Sequence, residues 1–558
     1  MNRLFRPSTL IVISVALLGA ALWVLWPLWG QSPAAQALPR PVPEGDQEIV
    51  FLGAATNNAA TWERFVAAIR RLQTDQPELN LKVVEDANAF PDQTTATPEL
   101  AVTVGGNRAR LWLRWYKLTG ETGTREWVEA LTRRDPPPLA IIGGGSSDRA
   151  HDLAIELNKQ RERLAAPPLF LITTATADQV TLDNNTTVTL MDEYAGRTFR
   201  FCFTNRQMAE AVTNFIWQQD DLRPDAEPVY LIHWKDDPYS EDLFNRFKEV
   251  FWGEDGSSGI LGRVRSGKIA ARTWAWFAGR SAMGGVPPGL DLDAMRRAEL
   301  RRRGPSSIGI AYSIGDYNQP NPDEEWAAEW VMSVHGQHPR QQRPLVIVPA
   351  TPQPGRRFLR ALMRTAPSEA GQFVVATGDG IDFNTVYRDR NLAWPVQDLP
   401  FDLVLFCHRN PVDASAFEPD TPGRETAVPD PGGRTSTGTQ DLLLYRDIME
   451  TVARAAYQNN RLLASADDLR DNLADGRLAD GRPRFDGKGN QVSGGGEYVV
   501  YLRPVRDRDR VLPRALLQVW NRSAGPEGRG WARVPVAGRP ELEVEYSSES
   551  ADKREAHP

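Results

Sequence analysis

Two groups of small and hydroxyl-bearing side chains follow neighbouring predicted strands, and they are the residues of this chain best suited to hold a ligand. The apolar run Leu139–Ile142 ends in GGGSS and the apolar run Pro168–Ile172 ends in TTAT, with an amphipathic helix pattern between them. The residues concerned are Ser146 and Ser147 in the first group and Thr174, Ala175 and Thr176 in the second. A helix that begins after the first group favours an anion there, because its first N–H groups are free and its dipole is positive at that end. Ligands of open α/β sheets bind at the carboxyl ends of strands, and no acid, base or nucleophile stands between these groups, so the pattern favours binding over catalysis.

Motifs of common catalytic and metal sites are absent from the sequence. It contains no G-x-S-x-G elbow, no P-loop and no zinc-type array of cysteine and histidine. Of the six histidines only His335 and His338 are close to each other, without an acidic or cysteine partner in the sequence. The glycines at 143–145 lack the G-x-G-x-x-G spacing of dinucleotide sites. We therefore expect no enzymatic activity, no cofactor and no metal; an enzyme on a Rossmann-like fold is the less favoured alternative.

Two further segments carry a family pattern. Val229–Trp234 is followed by an acidic turn and Tyr239, and Arg197–Ala211 reads RTFRFCFTNRQMAEA. Together with the two strand ends, these segments resemble the type I periplasmic binding proteins, particularly the branched-chain amino-acid receptors of ABC transporters. The resemblance covers Leu139 to Phe251, with a looser likeness on either side. The chain departs from the family in having Ser240 where glycine is usual, and in a long stretch after position 251 that has no counterpart.

The resemblance implies how a ligand would be held. Ser147, beside Ser146, and the segment Thr174-Ala175-Thr176 would grip the α-carboxylate and α-amino group of an amino-acid-like ligand. Tyr239 would reach the ligand from the opposite lobe. Asp379, in a glycine-bearing turn after a predicted strand, would be the partner of the ligand ammonium group. The alternatives are that Tyr239 caps a helix and packs in its own lobe, and that Asp379 caps a turn.

Alternating strand and helix patterns predict an α/β architecture of two Rossmann-like, doubly wound lobes joined by a hinge, as in type I periplasmic binding proteins. The predicted parts are a leader at 1–30, a linker at 31–47, a first lobe at 48–177 to which part of 380–480 returns, a second lobe at 178–379 with an insertion at 252–304, a flexible loop at 409–440, a C-terminal hairpin at 480–522 and a tail at 523–558. Within these parts, the segment with Trp112, Trp115 and Tyr116 is predicted to be a helix, and Phe199–Phe203 a strand of the second lobe.

The N-terminus indicates the compartment. Arg3 and Arg6 precede the apolar run Thr9–Trp29, which is long enough to cross a bilayer as a helix. The basic residues predict a cytoplasmic N-terminus and an extracytoplasmic remainder. We favour a retained transmembrane anchor, because tryptophans stand at the end of the run; a cleavable signal peptide, cut after the Ala35-Gln36-Ala37 site, is the alternative.

Composition narrows the class of partner. A formal net charge of −7 gives no sign of a nucleic-acid-binding surface. The two cysteines, Cys202 and Cys407, each lie in a predicted strand and are expected to be buried thiols. The sequence thus predicts a membrane-tethered, extracytoplasmic solute-binding protein that takes a small amino-acid-like ligand between its lobes for an ABC transporter permease. The alternative is a ligand-sensing receptor ectodomain or scaffold of the same fold without a transporter.

Overall fold

A computed structural model describes most of the 558-residue chain. The described residues are 37–55, 58–85, 91–182, 186–219, 221–222, 229–234, 237–252, 311–314, 322–335, 344–365, 373–381, 401–411, 439–458, 461–463, 465–478, 481–492, 496–507, 510–523, 530–536 and 539–545. The predicted anchor Thr9–Trp29, residues 35 and 36 of the predicted cleavage site, nearly all of the 252–304 insertion, most of the 409–440 loop and His338 lie outside them. Among the described residues, no helix combines the length and the apolar character needed to span a membrane.

The first lobe is built on a seven-stranded sheet. Its elements, in chain order, are β1 (Gln47–Ala54), α1 (Asn58–Asp75), β2 (Lys82–Glu85), β3 (Glu99–Thr103), β4 (Leu111–Leu118), α2 (Thr124–Arg133), β5 (Ala140–Gly143), α3 (Ser147–Gln160), β6 (Leu169–Ile172), β7 (Gln179–Thr181), β8 (Thr187–Thr189), α4 (Leu190–Glu193) and β9 (Thr198–Arg200). The strand order is β2-β3-β4-β1-β5-β6-β9, with parallel pairing from β4 to β9, while β7 and β8 form a separate hairpin. The carboxyl ends of β4, β1, β5 and β6 therefore meet at one edge of the sheet.

The second lobe begins with α5 (Asn205–Gln218) and continues through alternating strands and helices. These are β10 (Val229–Trp234), α6 (Pro238–Trp252), β11 (Ala311–Ile314), α7 (Pro322–His335), β12 (Leu345–Ile347), α8 (Pro352–Thr365), β13 (Val374–Ala376) and β14 (Asp402–Cys407). The five strands pair in parallel in the order β11-β10-β12-β13-β14.

The chain then returns to the first lobe and leaves it again. The returning elements are α9 (Thr439–Ala456), β15 (Tyr457–Gln458), β16 (Arg461–Leu462) and α10 (Ala466–Ala474). Helix α9 packs on α1 in the core of the first lobe. The strands β17 (Tyr498–Asp507), β18 (Arg510–Ser523), β19 (Gly530–Val534) and β20 (Leu542–Glu545) then extend the second sheet in antiparallel fashion from β14. The chain thus passes between the lobes three times within the described elements.

Helices cover both faces of each sheet, because the short strands are apolar on both sides. In the first lobe α1, α9 and α10 pack on one face and α2 and α3 on the other. In the second lobe α7 and α8 cover one face and α5 and α6 the other. The predicted α/β architecture of two doubly wound lobes is confirmed.

Three predictions about individual segments are wrong. Trp112, Trp115 and Tyr116 lie in strand β4, not in a helix, because β4 is an inner strand buried on both faces and shows no alternation. The strand expected at Phe199–Phe203 as part of the second lobe is β9, the edge strand of the first sheet. The tail at 523–558, whose polar composition favours disorder, contains β19 and β20, which pair with β18.

The N-terminal residues from Arg40 onward are fixed to the amino-terminal edge of the first sheet. The Arg40 N–H donates to the Tyr116 hydroxyl at 3.0 Å, and Arg114 Nη1 donates to the carbonyl oxygens of Arg40 and Pro41 at 3.2 and 3.1 Å. The side chain of Asp46 accepts hydrogen bonds from the backbone of residue 110 and from the indole of residue 112, both at 2.8 Å. The last part of the predicted linker is therefore a component of the lobe.

Candidate ligand-binding site

A cavity of about 280 Å³ lies at the carboxyl ends of the strands of the first sheet. Its wall includes the ends of β1, β4, β5 and β6, together with parts of α1, α3 and α9. The polar and aromatic members of the wall are Phe51, Thr61, Arg64, Trp115, Thr124, Arg149, Thr173, Thr174, Asp441 and Tyr445. This is the edge at which the sequence predicts a ligand.

Glycines bring α3 against this edge. A Cβ on Gly143 would lie 2.9 Å from Cδ2 of Leu153, and one on Gly144, where φ is +73°, would lie 2.9 Å from Cβ of Ala150. Larger residues at either position would push the helix away from the sheet. Gly145 has no atom close to its Cβ position, and all three glycines form part of the cavity wall. The glycine run therefore serves both close packing and an open strand end.

The two predicted hydroxyl groups lie side by side. Oγ of the buried Ser147 accepts the Ala177 N–H at 3.3 Å, and Oγ1 of Thr174 donates to the Gly145 carbonyl at 3.2 Å. Ser146 is the residue that precedes α3, and its side chain does not cap the helix. The N–H groups of the first turn of α3 thus receive no capping hydrogen bond from the Ser146 side chain.

Thr176 and Ala175 lie beside the first passage between the lobes. The Thr176 carbonyl accepts the N–H of Asn205, the first residue of α5, at 2.8 Å, and the Ala175 carbonyl accepts a hydrogen bond from the Cys202 thiol at 3.4 Å. The side chain of Thr176 is completely buried, and among the described residues its hydroxyl has no hydrogen-bond partner. Such an orphaned hydroxyl costs folding free energy, so its retention calls for an explanation.

Tyr239 and Asp379 contact each other in the second lobe. The Tyr239 hydroxyl donates to Oδ1 of Asp379 at 2.8 Å and accepts the Gly380 N–H at 2.9 Å. Nδ1 of His408 accepts the Phe203 N–H at 3.2 Å, so Nε2 carries the proton and donates to Oδ2 of Asp379 at 2.8 Å. Burial, reinforced by the neighbouring carboxylate, raises the pKa of Tyr239 well above its usual range, so the phenol stays neutral. Both Asp379 oxygens thus accept hydrogen bonds from protein donors.

A second carboxylate joins the lobes near the same passage. Oδ2 of Asp242 in α6 accepts the Asp178 N–H at 2.8 Å, and Oδ1 accepts the Gln179 N–H at 3.3 Å. Nδ2 of Asn205 also donates to Asp242, at 2.9 Å, and Arg246 lies 3.2 Å from Asp242 and 3.6 Å from Asp178. Burial raises the pKa of Asp242 to about 6. The segment that follows Thr176 is therefore bonded to the second lobe.

Carboxylates at the starts of α3 and α6 interact electrostatically. Asp237 precedes α6, and its Oδ2 accepts the Ser240 N–H at 3.1 Å. Burial raises the pKa of Asp237 to about 6, and the charge of Asp148, in the first turn of α3, contributes in the same direction. One helix start from each lobe thus borders the cleft.

Of the seven predicted site residues, only Thr174 is part of the cavity wall. Ser146, Ser147, Ala175 and Thr176 adjoin it through the two strand ends, and Tyr239 and Asp379 lie in the second lobe. The sequence analysis missed Arg64, Arg149, Trp115, Asp441 and Tyr445. Arg149 could have been found, because it stands in the first turn of the helix that begins at Ser147. Arg64 and Asp441, paired at 2.9 Å, are 377 positions apart and carry no local signal.

Metal and thiol chemistry find no support in this part of the chain. Within the described residues, no group of three or more histidine, cysteine, aspartate or glutamate side chains is arranged to hold a metal ion. Cys202 and Cys407 are buried free thiols, as predicted. Burial raises the pKa of Cys202 to about 12, which keeps it protonated and unreactive at neutral pH.

Comparison with known proteins finds solved structures of low sequence identity only. No protein-family model matches the chain, and no curated protein matches it in sequence. A leucine-binding protein from Thermotoga maritima is 12% identical, with a TM-score of 0.46, covering 83% of this chain and 97% of the other. An ABC transporter substrate-binding protein from Desulfitobacterium hafniense in complex with leucine is 13% identical, with a TM-score of 0.43 and coverage of 88% and 100%. A solute-binding protein from R. palustris in complex with 4-hydroxybenzoate is 10% identical, with a TM-score of 0.44 and coverage of 84% and 95%.

The fold is that of the type I periplasmic binding proteins. This rests on the two parallel α/β sheets and on the passages of the chain between them, which have the arrangement that the sequence resemblance implied.

Proposed function

We propose that this chain is an extracytoplasmic solute-binding protein that takes a small carboxylic acid into the cleft between its lobes for uptake by an ABC transporter permease. The observation that carries the proposal is the cavity at the carboxyl ends of the first sheet, with the start of α3 and two arginines in its wall. Such a wall offers hydrogen-bond donors and positive charge to an anion.

The strand-end hydroxyls would complete the grip. Ser147 accepts one hydrogen bond from the backbone and can donate its own proton, and the Thr176 hydroxyl has a free proton as well. Both lie where the first lobe meets the second, so closure of the lobes around a ligand would bring it to them. Tyr239 would contact the ligand from the second lobe when the lobes close.

The compartment belongs to the same proposal. The apolar run Thr9–Trp29, preceded by Arg3 and Arg6, would hold the protein in the cytoplasmic membrane with both lobes outside the cytoplasm. Full-length protein should then stay in the membrane fraction after a high-salt wash and leave it only with detergent. Mature protein that begins at Leu38 would instead establish a cleaved signal peptide.

The test of binding is calorimetry on purified full-length protein, with native mass spectrometry to detect a co-purified molecule. Leucine and 4-hydroxybenzoate are suitable first probes, because they present a carboxylate on two different bodies. Ser147→Ala should lower the affinity for the bound acid about 10- to 100-fold, since a charge-assisted hydrogen bond contributes about 1.5–3 kcal/mol. Ser465→Ala is the matched control, because Ser465 also accepts one backbone N–H, from Asp468 at 3.2 Å, but does so at the start of α10.

The outcomes separate the candidate functions. Loss of affinity in Ser147→Ala with unchanged affinity in Ser465→Ala supports the carboxylate site. Equal affinity in both variants removes Ser147 from it. If no small molecule co-purifies and none of the acids binds, solute binding is refuted, and a receptor ectodomain or scaffold of the same fold takes its place.

A further inference from the structure

We propose that the ligand of the first-lobe cavity is an organic acid that carries no ammonium group, so that the protein discriminates against amino acids. This inference rests on the proposed solute-binding function and narrows its ligand. It departs from the amino-acid-like ligand that the sequence resemblance implies. Two properties of the described cavity wall support it: an excess of positive charge, and the pairing of its one carboxylate with an arginine.

Positive charge exceeds negative charge in the cavity wall. Arg64 and Arg149 contribute two guanidinium groups, and Asp441 contributes one carboxylate among the described wall residues. Arg149 stands in the first turn of α3 and forms no ion pair within the described part of the chain. The exposed Asp148 beside it is not part of the wall. A ligand in this cavity therefore meets one uncompensated arginine, together with the free N–H groups at the start of α3.

The carboxylate in the wall, that of Asp441, already has an arginine partner. Oδ2 of Asp441 accepts a hydrogen bond from Nη1 of Arg64 at 2.9 Å. The Asp441 side chain is 42% exposed because it faces the cavity, yet the surrounding protein raises its pKa, an effect that Arg64 opposes. An ammonium group placed here would have to compete with a guanidinium group already in contact. A cationic ligand group would thus lose its hydration and gain only a carboxylate that it must share with Arg64.

Asp379 does not supply the missing partner. It is not part of the cavity wall, and each of its oxygens accepts a hydrogen bond, one from Tyr239 and one from His408. These donors lock the carboxylate within the second lobe. An α-amino group held in the first-lobe cavity would therefore find only the carboxylate of Asp441, which Arg64 already contacts.

The remaining wall suits an apolar ligand body. Phe51, Leu118 and Leu153 are apolar members of the wall, and Tyr445 adds an aromatic ring. Apolar and aromatic side chains around a few charged groups are the usual lining of a small-molecule site.

The test compares acids with the amino acids that differ from them only by the ammonium group. The probes are 4-methylpentanoate against leucine and 3-phenylpropanoate against phenylalanine, titrated into purified full-length protein by calorimetry. In at least one pair the acid should bind at least tenfold more tightly than its amino acid. Arg149→Gln should weaken that acid about tenfold or more and narrow the difference within the pair. Arg108→Gln is the control, because Arg108 is an exposed arginine between β3 and β4, at the opposite edge of the sheet, and should leave both affinities unchanged.

Failure of this inference differs from failure of the proposed function. Tighter or equal binding of the amino acid in both pairs overturns the inference and leaves solute binding in place. An acid preference that survives Arg149→Gln also overturns it, because the cavity charge would not be its cause. Absence of binding by all four probes, with no co-purified molecule, refutes the solute-binding function itself.

Discussion

Glu48 should contribute far more to stability than a surface glutamate with the same number of arginine partners. Its side chain is completely buried. Oε1 accepts hydrogen bonds from Nη1 of Arg114 at 3.1 Å and from the Tyr116 hydroxyl at 3.2 Å, and Oε2 contacts Arg134. Glu48→Gln keeps the size and shape of the side chain and removes its charge. Two guanidinium groups, 4% and 11% exposed, then lose their shared counter-ion.

The magnitude follows from burial. Removing one partner of a buried ion pair costs about 3–5 kcal/mol, because the other charge stays buried without compensation. Arg114 keeps a second carboxylate, Glu99, at 2.8 Å, so we expect the lower end, about 3 kcal/mol in the free energy of unfolding. Urea denaturation followed by fluorescence and circular dichroism measures this loss as a lower transition midpoint for the first lobe.

Glu129 provides the control. It also joins two arginines, Arg125 at 3.1 Å and Arg133 at 2.9 Å, but these are 70% and 69% exposed. Glu129→Gln should lower the free energy of unfolding by less than about 1 kcal/mol, and this loss should vanish at high salt. The Glu48→Gln loss should persist at high salt. Equal losses in the two variants, or a Glu48→Gln loss that salt removes, would refute the argument from burial.

Three more substitutions near the cleft, two of them with a control variant, test the reasoning. Thr176→Val removes an orphaned hydroxyl, so it should stabilise the ligand-free protein by about 1 kcal/mol and weaken ligand binding about tenfold. Thr213→Val, at an equally buried and orphaned hydroxyl in α5, should stabilise the protein without changing its affinity for the ligand. Urea denaturation measures the stability of both variants and calorimetry their affinity. Destabilisation by Thr176→Val would show that its hydroxyl serves the fold. Asp237→Asn should raise the free energy of unfolding above pH 7 by up to about 3 kcal/mol. Because the pKa of Asp237 is raised to about 6, the stability that this group contributes is full below about pH 4 and is lost as pH rises through 6. The variant should therefore show a flatter dependence of the free energy of unfolding on pH over that window. Gly380→Ala should lower the free energy of unfolding by about 1–3 kcal/mol in urea denaturation, because the added Cβ would lie 2.3 Å from a backbone carbonyl oxygen. Gly487→Ala, whose Cβ would have no atom within 4 Å, should lower it by less than about 1 kcal/mol. Similar losses in the two variants would contradict the packing argument.

The parts of the fold that follow a local pattern could be predicted from the sequence. The βαβ unit from Leu139 to Ile172 has short apolar runs around one amphipathic helix, and parallel pairing then necessarily places Ser147 and Thr174 at one edge. Strand β4 could not be predicted from a local pattern, because it is buried on both faces and its charged side chains are paired inside the protein. Arg114 binds carboxylates, and Nζ of Lys117 donates to the Pro91 carbonyl at 2.6 Å. Buried charges of this kind resemble the polar face of a helix when only the sequence is read.

The cavity itself could not be predicted. Its Arg64–Asp441 pair forms only because α9 returns to the first lobe after the chain has built most of the second. Tyr239 and Asp379 were chosen as ligand contacts from the resemblance, whereas their hydrogen bond to each other depends on the close approach of α6 to the turn at Gly380. The side chains that choose a ligand are thus set by tertiary contacts over long sequence distances.

The attachment of residues 40–46 to the first lobe determines how freely the protein could move at a membrane. With an anchor that ends at Trp29, as proposed, about ten residues would remain between the bilayer and the fixed Arg40, which limits their separation to roughly 35 Å. These residues would be attached at the amino-terminal edge of the first sheet, and the cavity opens at the opposite edge, about 25 Å farther along an eight-residue strand. The ligand entrance would therefore lie on the side of the first lobe away from its point of attachment.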